Sequence, residues 1–105
     1  MANSIINSQG RSVLHIDSTD GAITLAELTA TNEATVVSAD IVEMFWQTAT
    51  SIKIDRGGTD VHLFTGTGHW NLAQSGCELR GDVTADIGID VTGASYAIIV
   101  VHKSY

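Results

Sequence analysis

The sequence contains no proline, only one cysteine and no long hydrophobic run. A single cysteine, Cys77, cannot form an internal disulfide, which excludes a secreted scaffold stabilised by disulfides. No apolar stretch reaches the ~18 residues that span a membrane, and Met1–Gly10 lacks the positive start and apolar core of a signal peptide. We therefore expect a protein that is made in a reducing cytoplasm, has no membrane partner and builds its turns from Gly, Asn and Asp.

Charge is also scarce, and basic charge most of all. Five Lys and Arg side chains against twelve Asp and Glu give a formal net charge of −7, and only 16% of the residues are charged. Phosphate backbones are bound by clusters of Lys and Arg, which this chain lacks, so we expect no nucleic-acid partner. A weakly charged surface is adequate for a subunit that buries much of itself in an assembly, and we expect a homo-oligomer.

The clearest local signal lies around Gly57-Gly58, which two alternating runs flank within Ser51–Phe64. A two-residue turn of the primed types requires positive φ, which glycine adopts without strain. The pattern therefore predicts a β-hairpin. Its two-residue loop pairs Arg56 with Thr59, Asp55 with Asp60, Ile54 with Val61, and Ile52 with Leu63.

Short strands are predicted along the rest of the chain. The clearest alternation is Val83–Thr92, and Tyr96–Val101 is apolar on both faces, which places it centrally in a sheet. Three segments stay open: residues 1–10 as a mobile arm or an edge strand, Ile23–Leu28 as a strand or one helical turn, and Ala34–Trp46 as a buried strand pair rather than a short helix. Further strands are expected at Val13–Asp17 and His69–Leu72, with turns at Thr65–Gly68 and Gln74–Gly76.

This spacing, about seven to nine short strands, indicates an all-β fold. We expect a single-domain antiparallel β-sandwich (jelly-roll-like) or a small barrel. The domain is placed at residues 11–105, after an N-terminal arm of residues 1–10.

No constellation of catalytic side chains follows from the sequence. Cys77 sits beside a predicted turn with no histidine near it in sequence. The segment Gly66–Asn71 lacks the third glycine of a dinucleotide fingerprint and opens no helix. The histidines lie in different predicted elements without metal-ligand spacing: His15, His62, His69 and His102. We therefore expect no enzyme activity, no cofactor and no metal site.

One acidic pair needs a partner. The predicted hairpin places Asp55 opposite Asp60, and like charges at such positions are mildly destabilising. A cation would relieve this repulsion, but so would the flanking Lys53 and Arg56, and we favour the basic side chains.

The predicted hairpin also suggests where a partner binds. In that register Phe64 shares the outer, polar face with Lys53 and His62, and an apolar residue on a polar face indicates contact with something. Trp46 and Trp70 are expected to be core residues or inter-subunit anchors. We predict interface residues at Phe64, His62, Lys53 and Trp70. The alternative is a sugar-stacking platform formed by Trp46, Trp70, Tyr96 and Tyr105.

Four segments together resemble a known group of proteins. They are Ile23–Leu28 (Ile-Thr-Leu-Ala-Glu-Leu), Ile52–Gly58 with its final Arg-Gly-Gly, Gly66–Gly76 (Gly-Thr-Gly-His-Trp-Asn-Leu-Ala-Gln-Ser-Gly) and Tyr96–Lys103. In this order they resemble small β-rich structural proteins encoded among the virion genes of tailed bacteriophages. The chain is similar in size and texture to capsid decoration, or cement, proteins.

The resemblance implies a non-enzymatic virion protein that is made in the host bacterial cytoplasm. Such proteins often sit as trimers on an icosahedral shell and stabilise it through contacts with the major capsid protein or other virion proteins. Two alternatives stay open. One is a tail, neck or fibre-associated virion subunit, and the other is a carbohydrate-binding β-sandwich module.

Overall fold

The computed structural model describes residues 3–71 and 84–105, whose strands form two antiparallel sheets. The five-stranded sheet has the order β1 (Ser4–Ser8), β2 (Arg11–Asp17), β9 (Ser95–Ser104), β4 (Ser38–Thr48) and β7 (Thr67–Asn71). The four-stranded sheet has the order β3 (Gly21–Ile23), β8 (Ile87–Thr92), β5 (Ser51–Arg56) and β6 (Thr59–Phe64). A turn of 3₁₀ helix covers Ala26–Leu28. Within these ranges no helix has the length and apolar character needed to cross a membrane.

The core lies between the two sheets, because alternate side chains of each strand point to the same face. Both sheets contribute to one cluster of buried apolar residues, and the 3₁₀ turn adds Leu28. The cluster includes Leu14, Ile16, Ile41, Met44, Ile99 and Val101 from the first sheet, and Ile23, Ile52, Ile54, Phe64, Ile87 and Ile89 from the second. The expected all-β fold of short antiparallel strands is confirmed, with two facing sheets and nine strands in the described ranges.

The two longest strands, β4 and β9, pair along their whole length. The central position predicted for Tyr96–Val101 is confirmed, since β9 lies between β2 and β4. The predicted strand pair at Ala34–Trp46 is wrong, because β4 is one continuous strand. Its register shifts between Ile41 and Glu43, so that Val42 is an extra residue and both Ile41 and Val42 are buried. Such a bulge breaks the alternation, and the resulting apolar run resembles two strands in sequence.

The predicted hairpin forms, but its register changes halfway along. Gly57 and Gly58 have φ values of 62° and 87°, as a type I′ turn requires, and Asp55 lies opposite Asp60 as predicted. Beyond that pair a bulge at Val61 shifts the register. The remaining pairs are Ile54 with His62, Lys53 with Leu63 and Ile52 with Phe64, so the predicted pairs of Ile54 and Ile52 are wrong.

The bulge exchanges the faces of two neighbouring residues. Phe64 points into the core and is 2% exposed, whereas Leu63 points outward and is 54% exposed. The predicted position of Phe64 on the polar face is therefore wrong. The physical reason for the difference is one inserted residue, which turns each following side chain to the opposite face.

Several other expectations can be compared with the strands. Residues 4–8 form an edge strand paired with β2, the second alternative for the N-terminal segment. Ile23–Leu28 divides between the end of β3 and the 3₁₀ turn. Of the alternating run that begins at Val83, Ile87–Thr92 is a strand with Ile87 and Ile89 buried. Cys77, Leu72, Val83 and the predicted turn at 74–76 lie outside the described residues.

A buried ion pair ties the last strand to the long loop before β4. Lys103 occupies an inward position of β9, and its Nζ donates hydrogen bonds to the carbonyl of Leu28 at 2.7 Å and to Glu33 Oε1 at 2.5 Å. Both side chains of the ion pair are fully buried. A lysine is buried at this depth only where a carboxylate compensates its charge.

The Glu33 carboxylate collects hydrogen bonds from three further segments. The Ala30 and Gly10 N–H groups donate to it at 2.8 Å each, and the Tyr105 hydroxyl donates to the same oxygen as Gly10. Burial by itself would raise the pKa of Glu33, but the hydrogen bonds from Ala30, Lys103, Tyr105 and Gly10 outweigh it and lower the pKa from 4.5 to about 2. We call Glu33, Lys103 and Tyr105 the polar latch.

The polar latch predicts an acid-sensitive fold. Because the folded-state pKa of Glu33 lies below its unfolded value, its stabilisation is fully present above about pH 5 and is lost as the pH falls toward 2. We expect the melting temperature to fall through this window. Glu33→Gln should lower the melting temperature at pH 7 by more than about 5 °C, because it leaves the Lys103 ammonium buried without a carboxylate, and should reduce the acid dependence.

The matched control is Asp40→Asn, which removes a carboxylate on the outer side of β4 that takes no part in the latch. Thermal unfolding followed by circular dichroism from pH 7 to pH 3 compares the three proteins. An unchanged acid dependence in Glu33→Gln would contradict the role of the latch.

Candidate functional site

An aromatic cluster closes one side of the sandwich, where side chains of the edge strands β6 and β7 meet. Four rings meet there: Trp46, His62, Phe64 and Trp70. The ring centroid of Phe64 lies 4.7 Å from Trp46 and His62 and 5.3 Å from Trp70. The centroids of His62 and Trp70 lie 4.8 Å apart. We call these four residues the lateral cluster.

Glycine makes room for the lateral cluster. Gly68 lies opposite Trp46 in the β4–β7 pair, and a Cβ at this position would lie 2.4 Å from the Trp46 ring. The indole therefore packs directly on the backbone of β7, and its Nε1 donates a hydrogen bond to the carbonyl of Thr65 at 3.0 Å. The Gly-Thr-Gly segment that resembles a loop in sequence thus contributes a packing surface.

Three of the four predicted interface residues come together in this cluster. His62 is exposed, Trp70 is 36% exposed and Phe64 is buried beneath them. The two indole rings meet at 85°, so Trp46 and Trp70 do not form one flat platform of the kind that stacks on a sugar. The cluster fits the expectation of core or anchor residues at an edge of the fold.

The fourth predicted interface residue, Lys53, lies elsewhere. It is on the outer face of the four-stranded sheet, where its Nζ lies 3.6 Å from a carboxylate oxygen of Asp60 and 3.6 Å from one of Asp90. The charge of Asp60 and then that of Asp90 raise the pKa of Lys53 above its ordinary value. Lys53 therefore supplies positive charge to Asp60, one member of the predicted acidic pair, and to Asp90 on the neighbouring strand.

Arg56, unlike Lys53, does not lie on the outer face of the sheet. Its guanidinium points inward and donates hydrogen bonds to the carbonyls of Ala39 at 2.7 Å and Ala85 at 2.8 Å. Arg56 is 3% exposed and joins the two sheets. The expectation that Arg56 helps to relieve the acidic pair is wrong, because its position in β5 points inward, as those of Ile52 and Ile54 do.

The histidines are distributed over the surface. His15, His69 and His102 lie on the outer face of the five-stranded sheet, and His62 lies in the lateral cluster. His69 stacks on Phe45 with centroids 3.9 Å apart and hydrogen-bonds Glu43 Oε2 at 2.8 Å. Across residues 3–71 and 84–105, no three His, Cys, Asp or Glu side chains gather as metal ligands would.

The outer face of the five-stranded sheet carries an apolar surface. Ile6, Val13 and Val100 lie side by side across β1, β2 and β9, and Ile98 lies next to Phe45 across β9 and β4. Ile6 is 61% exposed and Phe45 is 45% exposed. We call these five residues the apolar face, and the sequence pattern of β9, which is apolar at every position from 97 to 101, is the signal that points to it.

A polar row crosses one end of the same sheet. Asp17 lies opposite Tyr96, Tyr96 opposite Gln47, and Gln47 opposite Thr67, so the four side chains point the same way. They border a groove of about 510 Å³ whose other walls are Ser18, Thr48, Ala49, Ala94 and Ser95. We call it the end groove. Its residues come from four strands distant in sequence, so no local motif reveals it.

Hydrogen bonds hold the floor of the end groove. The Ser18 N–H and Oγ both donate to the carbonyl of Ser95, at 2.9 and 3.0 Å, and the Ser95 N–H donates to Ser18 Oγ at 2.9 Å. The Thr48 and Ser95 hydroxyls lie 2.7 Å apart. Ser18 has a φ of 54°, a left-handed conformation that costs a non-glycine residue about 1–2 kcal/mol. Such strain is retained only where the surrounding contacts over-determine it.

The lateral cluster depends on Gly68. We expect Gly68→Ala to destabilise the fold by about 1–3 kcal/mol, because the new methyl group would overlap the Trp46 ring and force it to move. Urea unfolding followed by tryptophan fluorescence measures both the stability and the environment of the cluster. Gly21→Ala is the matched control, since a Cβ at Gly21 meets no atom within 4 Å. Equal stability of the two variants would contradict this packing.

Calcium should leave the melting temperature unchanged. The ammonium of Lys53 already lies between Asp60 and Asp90, and calcium binding needs six to eight oxygen ligands. A calcium titration followed by thermal unfolding checks this, with Lys53→Met as the variant that removes the ammonium. A calcium-dependent rise in the native protein would contradict the assignment.

Comparison of the chain with protein-family models, with curated proteins and with solved structures finds no match.

Proposed function

We propose that this chain is a non-enzymatic structural subunit that assembles through the apolar face, and that it is a capsid decoration protein of a tailed bacteriophage. The exposed apolar face is the observation that supports assembly. Ile6 and Phe45 leave about half or more of their surface open to water, beside the partly buried Val13, Ile98 and Val100. A contiguous apolar patch of this kind is a common mark of a protein-binding surface.

The apolar face lies within a sheet surface that has the size of a small interface. The outer surface of all five strands, which are about 4.8 Å apart and roughly seven residues long, covers about 500 Å², so two such surfaces packed together bury about 1,000 Å². That area is near the lower limit of specific protein interfaces. The low content of charged residues and the ring of polar residues around the patch agree with this use.

The virion assignment rests on the resemblance of the sequence to phage decoration proteins. A decoration protein requires a stiff fold and binding surfaces rather than catalytic groups. In this proposal the chain forms a trimer that contacts the major capsid protein. A tail, neck or fibre-associated subunit is the competing assignment, and symmetry separates the two because a neck ring would be six- or twelve-fold.

The first test is the solution mass of the purified protein and of three variants. Ile6→Ser and Phe45→Ser lie on the apolar face, and Leu63→Ser is the matched control because Leu63 is an exposed apolar residue of the opposite sheet. We expect an oligomer that the first two variants weaken about tenfold or more and that Leu63→Ser leaves intact. An oligomer insensitive to both face variants would contradict assembly through this surface.

The second test addresses the capsid. Shells assembled with and without the protein are compared by thermal rupture, and we expect a higher rupture temperature when it is bound. Phe45→Ser should lose this effect, while Leu63→Ser should retain it. Equal rupture temperatures with and without the native protein would exclude the decoration role.

A further inference from the structure

We propose that the end groove binds a neutral saccharide. This site is independent of the proposed assembly, because the groove residues Asp17, Gln47, Thr67 and Tyr96 are distinct from the five residues of the apolar face.

The polar row presents the functional groups that recognise a sugar. A carboxylate, a phenol, a carboxamide and a hydroxyl lie side by side, in the order Asp17, Tyr96, Gln47 and Thr67. A carboxylate accepts hydrogen bonds and a carboxamide both donates and accepts, so together they can pair with neighbouring hydroxyl groups of one ring. Tyr96, which is 49% exposed, adds an aromatic surface for the apolar C–H side of the ring.

These polar groups are available for a ligand. The side chains of Asp17, Gln47, Thr67 and Tyr96 make no hydrogen bond to the part of the chain that the structure describes. The hydroxyls of two other lining residues, Ser18 and Ser95, already make hydrogen bonds: both bond backbone carbonyls, and that of Ser95 also bonds Thr48. The groove thus combines a fixed floor with unengaged groups along one wall.

The charge of the groove selects the class of ligand. Asp17 is the only acidic or basic side chain among its described lining residues. An anionic ligand would meet a carboxylate with no Lys or Arg beside it, and a divalent cation would find one carboxylate where it needs several oxygen ligands. A neutral compound rich in hydroxyl groups is the class that these groups satisfy.

The dimensions are suitable, and a second depression extends the site. The groove volume of about 510 Å³ falls within the range of small-molecule sites. A smaller depression of about 170 Å³ adjoins it and shares Gln47, Thr67 and Tyr96. Its remaining walls include Phe45, which it shares with the apolar face, and Trp46, which it shares with the lateral cluster. Both rings offer a further aromatic surface to a second sugar unit.

The rigid floor favours binding of a weakly interacting ligand. Ser18 holds the β2–β3 connection against the first residue of β9 through three hydrogen bonds. The groove therefore needs little ordering when a ligand arrives, and a preformed site loses less affinity to conformational entropy. This arrangement explains why Ser18 keeps its left-handed conformation.

Titration of isotope-labelled protein with saccharides, followed by amide NMR, tests the proposal. The probes are neutral trisaccharides of glucose, galactose, mannose and N-acetylglucosamine, with a trisaccharide of glucuronic acid as the anionic counterpart. We expect at least one neutral probe to bind with roughly millimolar affinity or better. The shifted amide signals should be those of Asp17, Ser18, Gln47, Thr48 and Tyr96.

Variants then assign the contacts. Tyr96→Ala should weaken binding about tenfold and Gln47→Ala several-fold, whereas Tyr96→Phe, which keeps the ring, should bind within about threefold of the native protein. Leu63→Ala, on the opposite sheet, should bind like the native protein. Thermal unfolding of each variant verifies that it is folded. If Tyr96→Ala does not fold, Gln47→Ala still tests the contacts of the groove.

Four results would overturn the proposal. They are no shifts with any neutral probe up to about 10 mM, shifts confined to the lateral cluster, undiminished binding by Tyr96→Ala and Gln47→Ala, and tighter binding of the anionic probe. None of these results bears on assembly, which Ile6→Ser tests at a residue that lines neither the groove nor the smaller depression.

Discussion

The alternation of β9 is the constraint on which the rest of the structure depends. Ala97, Ile99, Val101 and Lys103 point inward and are 2% exposed or less, and they bring together the core and the polar latch. Tyr96, Ile98 and Val100 point outward between them and supply the polar row and the apolar face. Because the side-chain period of a strand is two, one central strand determines both the stability of the fold and the chemistry of its exposed surface. A slip of one residue in its pairing would exchange these roles.

Two bulges modify this alternation, and each changes what the protein exposes. The extra residue Val42 allows two consecutive apolar residues of β4 to be buried, while keeping Glu43 and Phe45 on the outer face. The extra residue Val61 turns Phe64 into the core and leaves Leu63 exposed. The lateral cluster depends on this second bulge, since Phe64 contacts each of the other three rings.

The sequence was sufficient to predict the structure wherever the pattern involved residues close together in the chain. The Gly57-Gly58 turn follows from the positive φ that the turn requires, and the central place of β9 follows from its apolar character on both faces. A bulge inserts a residue without any characteristic composition, so the faces of Leu63 and Phe64 could not be read from alternation. The buried position of Lys103 depends on Glu33, which lies seventy residues away in the chain. The end groove draws on β2, β4, β7 and β9, and only the pairing of those strands brings its side chains into one row.

The apolar face and the end groove lie on the same sheet yet have opposite physical requirements. An apolar patch gains from being covered by a partner that excludes water, whereas the hydroxyl, amide and carboxylate groups of the row must stay paired with a ligand or with water. The register separates them, because the polar row is the last one before the Ser18 and Ser95 connections, while the apolar face occupies the middle of the sheet. A partner seated on Ile6, Val13 and Val100 contacts β1, β2 and β9 without reaching Thr67 at the far edge. Phe45 belongs to the apolar face and also lines the smaller depression beside the groove, so a partner that covers Phe45 competes with a second sugar unit there, whereas a partner confined to Ile6, Val13 and Val100 does not.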